Sequence, residues 1–152
     1  MKKVDAINLN QVLQANSKNG KMGLSKVTLV MMLVKLGKVQ EEFDTMRNDV
    51  VKRLKEDYEK FDERLEKAQE YERLSGKENE RPEWTESQYK EFMEGDYKAL
   101  SDALSAALQP ELETEVDIDF KKFDAQGYSE WMESNNIGSN VAAKLATFLL
   151  EM

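Results

Sequence analysis

The chain has 152 residues, 40% hydrophobic and 34% charged, with 30 acidic against 22 basic side chains and a net charge of −8. That balance argues against a protein that wraps DNA or RNA and against one that clings to an anionic membrane, and it favours solubility and a basic partner. With no cysteine and no histidine, disulfides, thiolate chemistry, iron–sulfur clusters, cysteine-type zinc sites and the commonest general base are all removed, and the absence of cysteine fits the cytoplasm.

Met1-Lys2-Lys3 is basic, but no apolar core of signal-peptide length follows it. Lys3 to Ile7 alternates weakly, which predicts a short strand or an extended lead-in. Asn8 and Gln11 fit a capping pair for a short helix that turns Leu9, Val12 and Leu13 inward. Asn19-Gly20 and Gly23 signal a turn. Ser25 opens the main feature. No proline interrupts Lys26 to about Ser75, and Phe43, Met46, Val50, Leu54, Tyr58, Phe61, Leu65 and Ala68 recur at helical steps. Opposite charges four apart, as in Glu56 with Lys60 and Glu63 with Lys67, lace the other faces. Gly37 is the expected soft point and Gly76 the expected stop.

The link from Lys77 to Trp84 is polar and contains Pro82. Thr85 with Gln88 reads as a capping box for a second helix with a seam of Tyr89, Met93, Tyr97, Leu100, Leu104 and Leu108, ended by Pro110. Two seamed helices with a short link fold back on each other. Val116, Ile118 and Phe120 alternate with charged residues, the pattern of a half-buried strand, whose partner is either the Val4 region or a neighbouring subunit. Asp124 is placed to cap a helix carrying Tyr128, Trp131 and Met132. Asn135-Asn136-Ile137-Gly138 breaks it, and Ser139 is placed to cap a last helix lined by Val141, Leu145, Phe148 and Leu149. The expected fold is mainly α and a single domain over 1–152. It comprises an N-terminal segment (1–24), a long antiparallel helical hairpin (25–110), and a short β element with a small C-terminal helical tail (111–152).

Asp117 and Asp119 flank Ile118 and point the same way, a spacing that can hold Mg²⁺. The same spacing is what a solvated strand face carries to discourage wrong pairing, and no motif places a Lys or His beside it. The acidic helix faces can imitate a phosphate backbone, although interleaved Lys and Arg dilute the mimicry. There is no phosphate loop, dinucleotide fingerprint, nucleophile elbow or zinc spacing. No catalytic, metal or cofactor-binding residue is assigned, and no cofactor or small-molecule substrate is expected. Val30, Met31, Met32, Leu33, Val34 and Leu36 are apolar round more than one face. Such a stretch is either central in the fold or a contact site where flexible Met fills gaps. Trp84, beside Pro82, is either a lid over the end of the hairpin or a binding anchor. Tyr128, Trp131 and Phe148 are expected to form a small core in the tail. The candidate contact surface is therefore Val30, Met31, Met32, Leu33, Val34 and Trp84.

The order of features also carries a resemblance. A Met-Lys-Lys start is followed by Leu24-Ser25 opening an apolar, Lys-rich helix, then Glu41-Glu42-Phe43-Asp44-Thr45-Met46-Arg47, a charged seam helix, a polar link and a second helix. Glu115-Val116-Asp117-Ile118-Asp119-Phe120 and a short closing helix end the series. This order resembles a loose group of small uncharacterised helical proteins of tailed bacteriophages and prophages, over nearly the whole chain, and it brings no functional residues with it. The resemblance implies a viral setting, in the virion or the cytoplasm of the bacterial host. It also implies a structural or assembly component. With no catalytic motif and a net charge of −8, that component is expected to be non-catalytic, to work through protein contacts, as a homo-oligomer or in a larger viral assembly, and to make no direct contact with nucleic acid or membrane. A second expectation is an acidic inhibitor or adaptor that binds a host defence or nucleic-acid-processing protein. A third, a metal-dependent enzyme using Asp117 and Asp119, has the least behind it.

Overall fold

The computed structural model describes residues 1–17, 23 and 25–151. It is mainly helical: α1 (Lys3–Ala15), α2 (Ser25–Lys55), α3 (Phe61–Leu74), α4 (Glu86–Phe92), a π-helical turn (Met93–Tyr97), α5 (Lys98–Leu112), α6 (Ala125–Ser134) and α7 (Ser139–Leu149). The Asn19-Gly20 turn lies outside the described residues. The chain divides into two compact units, one built from Met1–Asp44 with Glu111–Met152 and the other from Thr45–Pro110.

In the first unit the helix begins at Lys3, where a strand or extended lead-in was expected, and Asn8 lies exposed within it instead of capping it. The weak alternation of five residues loses to a longer helical spacing: Ala6, Leu9, Asn10 and Leu13 are all buried on one face. The strand expected over Val116–Phe120 does not form either, and no strand is present among the described residues. The segment is extended but meets only one residue of a partner, in an antiparallel bridge between Lys2 and Glu115. The Lys3 amide donates to the Thr114 carbonyl (2.8 Å) and the Val116 amide to the Met1 carbonyl (2.9 Å). Once α1 coils from Lys3, no second edge is left to extend the ladder. Ion pairs from the Met1 amino group to Glu115 (3.1 Å), Lys2 to Glu113 (2.7 Å) and Lys3 to Glu111 hold these segments together.

The Asp124 carboxylate accepts from the Gly127 amide at 2.7 Å and starts α6. Gly138 precedes α7, and Ser139 is its first helical residue instead of its cap. The core joins Ala6, Leu9 and Leu13 of α1, Leu29, Met32 and Leu36 of α2, Phe123, Tyr128 and Trp131 around α6, and Ala142 and Leu149 of α7. Trp131 and Tyr128 are thus part of the unit's main core, where a separate tail core was expected, and Phe148 is only partly buried. Phe123 stacks on Trp131 with ring centres 6.2 Å apart, the Trp131 indole N–H donates to the Ser17 hydroxyl (3.1 Å), and the Tyr128 hydroxyl donates to the Ala142 carbonyl. Burial holds the Tyr128 phenol above its ordinary pKa. Gly127 sits where a Cβ would come within 3.1 Å of both the Ser25 Cβ and an Asp124 carboxylate oxygen, so its lack of a side chain permits the approach of α6 to the start of α2.

α2 runs unbroken through Gly37, the expected soft point, and the expected single helix to Ser75 is interrupted at 56–60 instead. One interior glycine costs about 1 kcal/mol relative to alanine, which the burial of Leu36 and Met32 outweighs. The charges on either side suit the break. Lys52, Arg53 and Lys55 in the last turn of α2 suit a helix C-terminus, and Asp62 and Glu63 suit an N-terminus. Lys60, with φ 52°, takes the left-handed turn between the two helices. Gly76, with φ 84°, follows the end of α3.

In the second unit Thr85 and Gln88 form the reciprocal capping box at the start of α4. Pro110 lies inside α5, which continues to Leu112. Phe61, Ala68, Phe92 and Leu100 form the core, with Leu54, Tyr58, Leu65, Trp84, Tyr89 and Met93 packed against it. Tyr71 stacks on Tyr89 (4.5 Å) near the end of α3, while Arg64 near its start pairs with Asp96 (2.7 Å). α3 and the helical run from Glu86 therefore lie antiparallel.

Candidate contact surface

α2 carries apolar residues on two opposite sides. Leu29, Met32 and Leu36 recur at helical spacing and are buried in the first core. Val27, Val30, Met31 and Val34 also recur at helical spacing (i, i+3, i+4, i+7), half a turn round the helix, and they are 65, 48, 49 and 62% exposed. The structure therefore splits the predicted surface. Val30, Met31 and Val34 share the open stripe, Met32 is fully buried, and Leu33 is half-buried against the core. Val27, outside the predicted surface, joins the stripe one turn before Val30.

The surroundings of this stripe are unlike the rest of the chain. From Ala6 to Gln40 there are five lysines (Lys18, Lys21, Lys26, Lys35 and Lys38) and no Asp or Glu. Lys26, Lys35 and Lys38 are exposed. By helical geometry Lys26 and Lys35 flank the stripe on either side, and Lys38 stands at its end. The Lys35 ammonium donates to the Asp119 carbonyl. Lys26 and Lys38 have no ion pair among the described residues. This acid-free interval was legible from charge order along the chain, but the net charge of −8 concealed it.

Trp84 lies in the second unit, half-buried, with its ring edge on Phe92 at 5.7 Å. It borders a cleft of about 710 Å³ lined also by Tyr58, Lys60, Arg64 and Lys67. The Arg64 guanidinium sits 5.3 Å from the centre of the Phe92 ring and pairs with Asp96 in the π-helical turn, and its Nε has no hydrogen-bond partner. Asp57, Glu59, Glu63 and Asp96 interleave with these three cations around the cleft. Neither sign dominates there, so the cleft forms neither an anion cradle nor a cation cradle.

Asp117 and Asp119 are both exposed on the extended segment. Among the described residues no group of three or more carboxylates converges on a point that could hold a metal ion. No helix among them is long and apolar enough to cross a membrane. The chain matches no protein-family model, no curated protein and no solved structure.

Proposed function

We propose that this chain is a non-catalytic protein of a phage or prophage that acts through protein–protein contacts, as a structural or assembly component. The observation that carries the reading is the open stripe of Val27, Val30, Met31 and Val34. A domain that has already buried one face of α2 in its core leaves a second apolar face uncovered, and a contiguous exposed apolar patch marks a contact site. The viral setting rests on the resemblance in the order of segments. The partners in this reading are proteins, further copies or other subunits of a viral assembly, with the antiparallel helices of 45–110 as a hairpin-like spacer. An acidic adaptor for a host protein is the second reading, favoured by the excess of acidic over basic side chains in Thr45–Pro110.

The test is solution mass by light scattering, at rising protein concentration and at low and high salt, for the wild type and for Val30→Asp/Val34→Asp. An uncovered stripe deprived of its natural partner finds a substitute in another copy. The wild type is expected to associate above the 17.6 kDa of one chain, and more so at high salt, where the flanking lysines are screened. The double variant is expected to stay monomeric. Wild type and variant that are both monomeric under every condition would remove the stripe as a contact surface.

A further inference from the structure

We infer that the α2 stripe docks an amphipathic helix of a different protein, one whose apolar seam is flanked by carboxylates. The inference rests on the contact reading above and gives its partner a chemistry.

The shape calls for a helix. Knobs at i, i+3, i+4 and i+7 over two turns are the pattern that interdigitates with the grooves of another helix. The charge selects which helix. The stripe is bordered by Lys26, Lys35 and Lys38 in an interval from Ala6 to Gln40 that contains no carboxylate, although the whole chain has 30 acidic side chains against 22 basic. Some lysines elsewhere are paired within the chain, such as Lys2 with Glu113, Lys90 with Glu86 and Lys98 with Asp102, and others, such as Lys52, Lys60 and Lys121, are exposed without an ion pair among the described residues. Those three have an Asp or Glu within four residues in the sequence, whereas Lys26 and Lys35 have none, so the border of the stripe leaves its counter-charge for a partner to supply.

A second copy fits poorly. It brings the same lysine-bordered stripe from the same carboxylate-free interval, so it supplies no counter-charge to Lys26 or Lys35. An anionic membrane would meet the lysines, but three valines and a methionine offer none of the Trp, Phe or Leu that anchors an interfacial helix.

The experiment uses the full chain and two labelled synthetic three-heptad peptides with the same Leu/Ile seam, one flanked by Glu and the other by Lys, read by fluorescence anisotropy. The Glu-flanked peptide is expected to bind at least about tenfold more tightly than the Lys-flanked one and to weaken as salt rises. Lys26→Glu/Lys38→Glu is expected to cancel or invert that preference, and Val30→Asp to abolish binding of both peptides. Far-ultraviolet circular dichroism establishes that the variants fold.

Equal binding of the two peptides, no binding of either, or binding that survives Val30→Asp overturns the inference. So does a stoichiometric homo-oligomer already complete at low salt and low protein concentration that Val30→Asp dissociates, in place of the weak, salt-promoted association expected of the wild type; it would assign the stripe to a second copy and leave the contact reading standing. Sedimentation with phosphatidylserine vesicles that Val30→Asp abolishes would overturn both readings in favour of a lipid surface.

Discussion

The two units solve the same problem with different materials. The first gathers helices from both ends of the chain around large side chains that are almost wholly hidden, among them Trp131, Phe123, Leu13, Met32, Leu36 and Leu149. The second is continuous in sequence, carries most of the Glu and Asp, and closes over a smaller core in which Tyr58, Phe61 and Phe92 meet as tilted rings and Trp84 stands edge-on to Phe92. The first is stabilised chiefly by desolvated area. The second draws more on ring contacts and on partly exposed ion pairs such as Arg64 with Asp96 and Lys55 with Asp62, each worth at most about 1 kcal/mol. Stability contributed by few large side chains is lost in large steps, whereas stability spread over many weak contacts is lost gradually.

The strongest way to break this comparison is to remove one large ring from each core. Trp131→Ala and Phe92→Ala are each expected to cost about 3–5 kcal/mol in urea denaturation. Because the two cores share no buried residue, hydrogen exchange should quicken in α1, α6 and α7 for the first variant and in α3 and α4 for the second. If either variant loosens every helix alike, the units are one cooperative block and the contrast fails.

A finer probe lies within the first unit. Gly127→Ala places a methyl 3.1 Å from the Ser25 Cβ and 3.3 Å from the Phe123 ring, and it should cost about 1–3 kcal/mol. Gly37→Ala meets nothing nearer than the Asn10 side-chain oxygen at 4.0 Å, and it should gain about 0.5–1 kcal/mol from helix propensity. Matched melting curves that shift in the same direction would contradict the packing described around Gly127.

The smallest expected effect is a dependence on alkaline pH. The Tyr128 phenol is neutral, buried and a hydrogen-bond donor in the fold, and its pKa is raised above the usual 10.0. Its contribution is fully present below pH 10 and is lost as pH rises through the raised value. Tyr128→Phe should flatten the alkaline fall in stability, and an unchanged slope would show that Tyr128 is not its source. Tyr89 also has a raised pKa, chiefly through its hydrogen bond to Glu72, so some slope should remain.

Much of the helical content was legible because long amphipathic spacing and capping chemistry act locally, as at Thr85 with Gln88 and Asp124 with Gly127. Two errors had a common source. Lys3–Ile7 and Val116–Phe120 both alternate, but a strand is a property of two segments, and the first of them earned more burial as a helix. The break at 56–60 was written in the order of charges, basic then acidic, which the apolar seam running straight through it obscured. For the contact surface, the apolar run was visible in the sequence, but which of its faces stays open was not. That choice is made by α1, α6 and α7, which cover Met32 and leave Val30 and Val34 bare.

The π-helical turn at Met93–Tyr97 accommodates one residue more than a regular helix would use over the same rise. Excising Gly95, whose missing side chain would have met nothing within 4 Å, would leave an ordinary helix of sound local geometry. The five residues of the wide turn sweep about the same angle as four residues of a regular helix, so Leu100 would keep its face toward Phe61 and Phe92, with which it shares a core. The surplus residue is thus absorbed by the backbone where it stands. The same excision in a regular stretch of α5 would turn every later side chain by about 100° and pull the seam apart, whereas at this place the length of the chain can change by one residue and the unit stays in register.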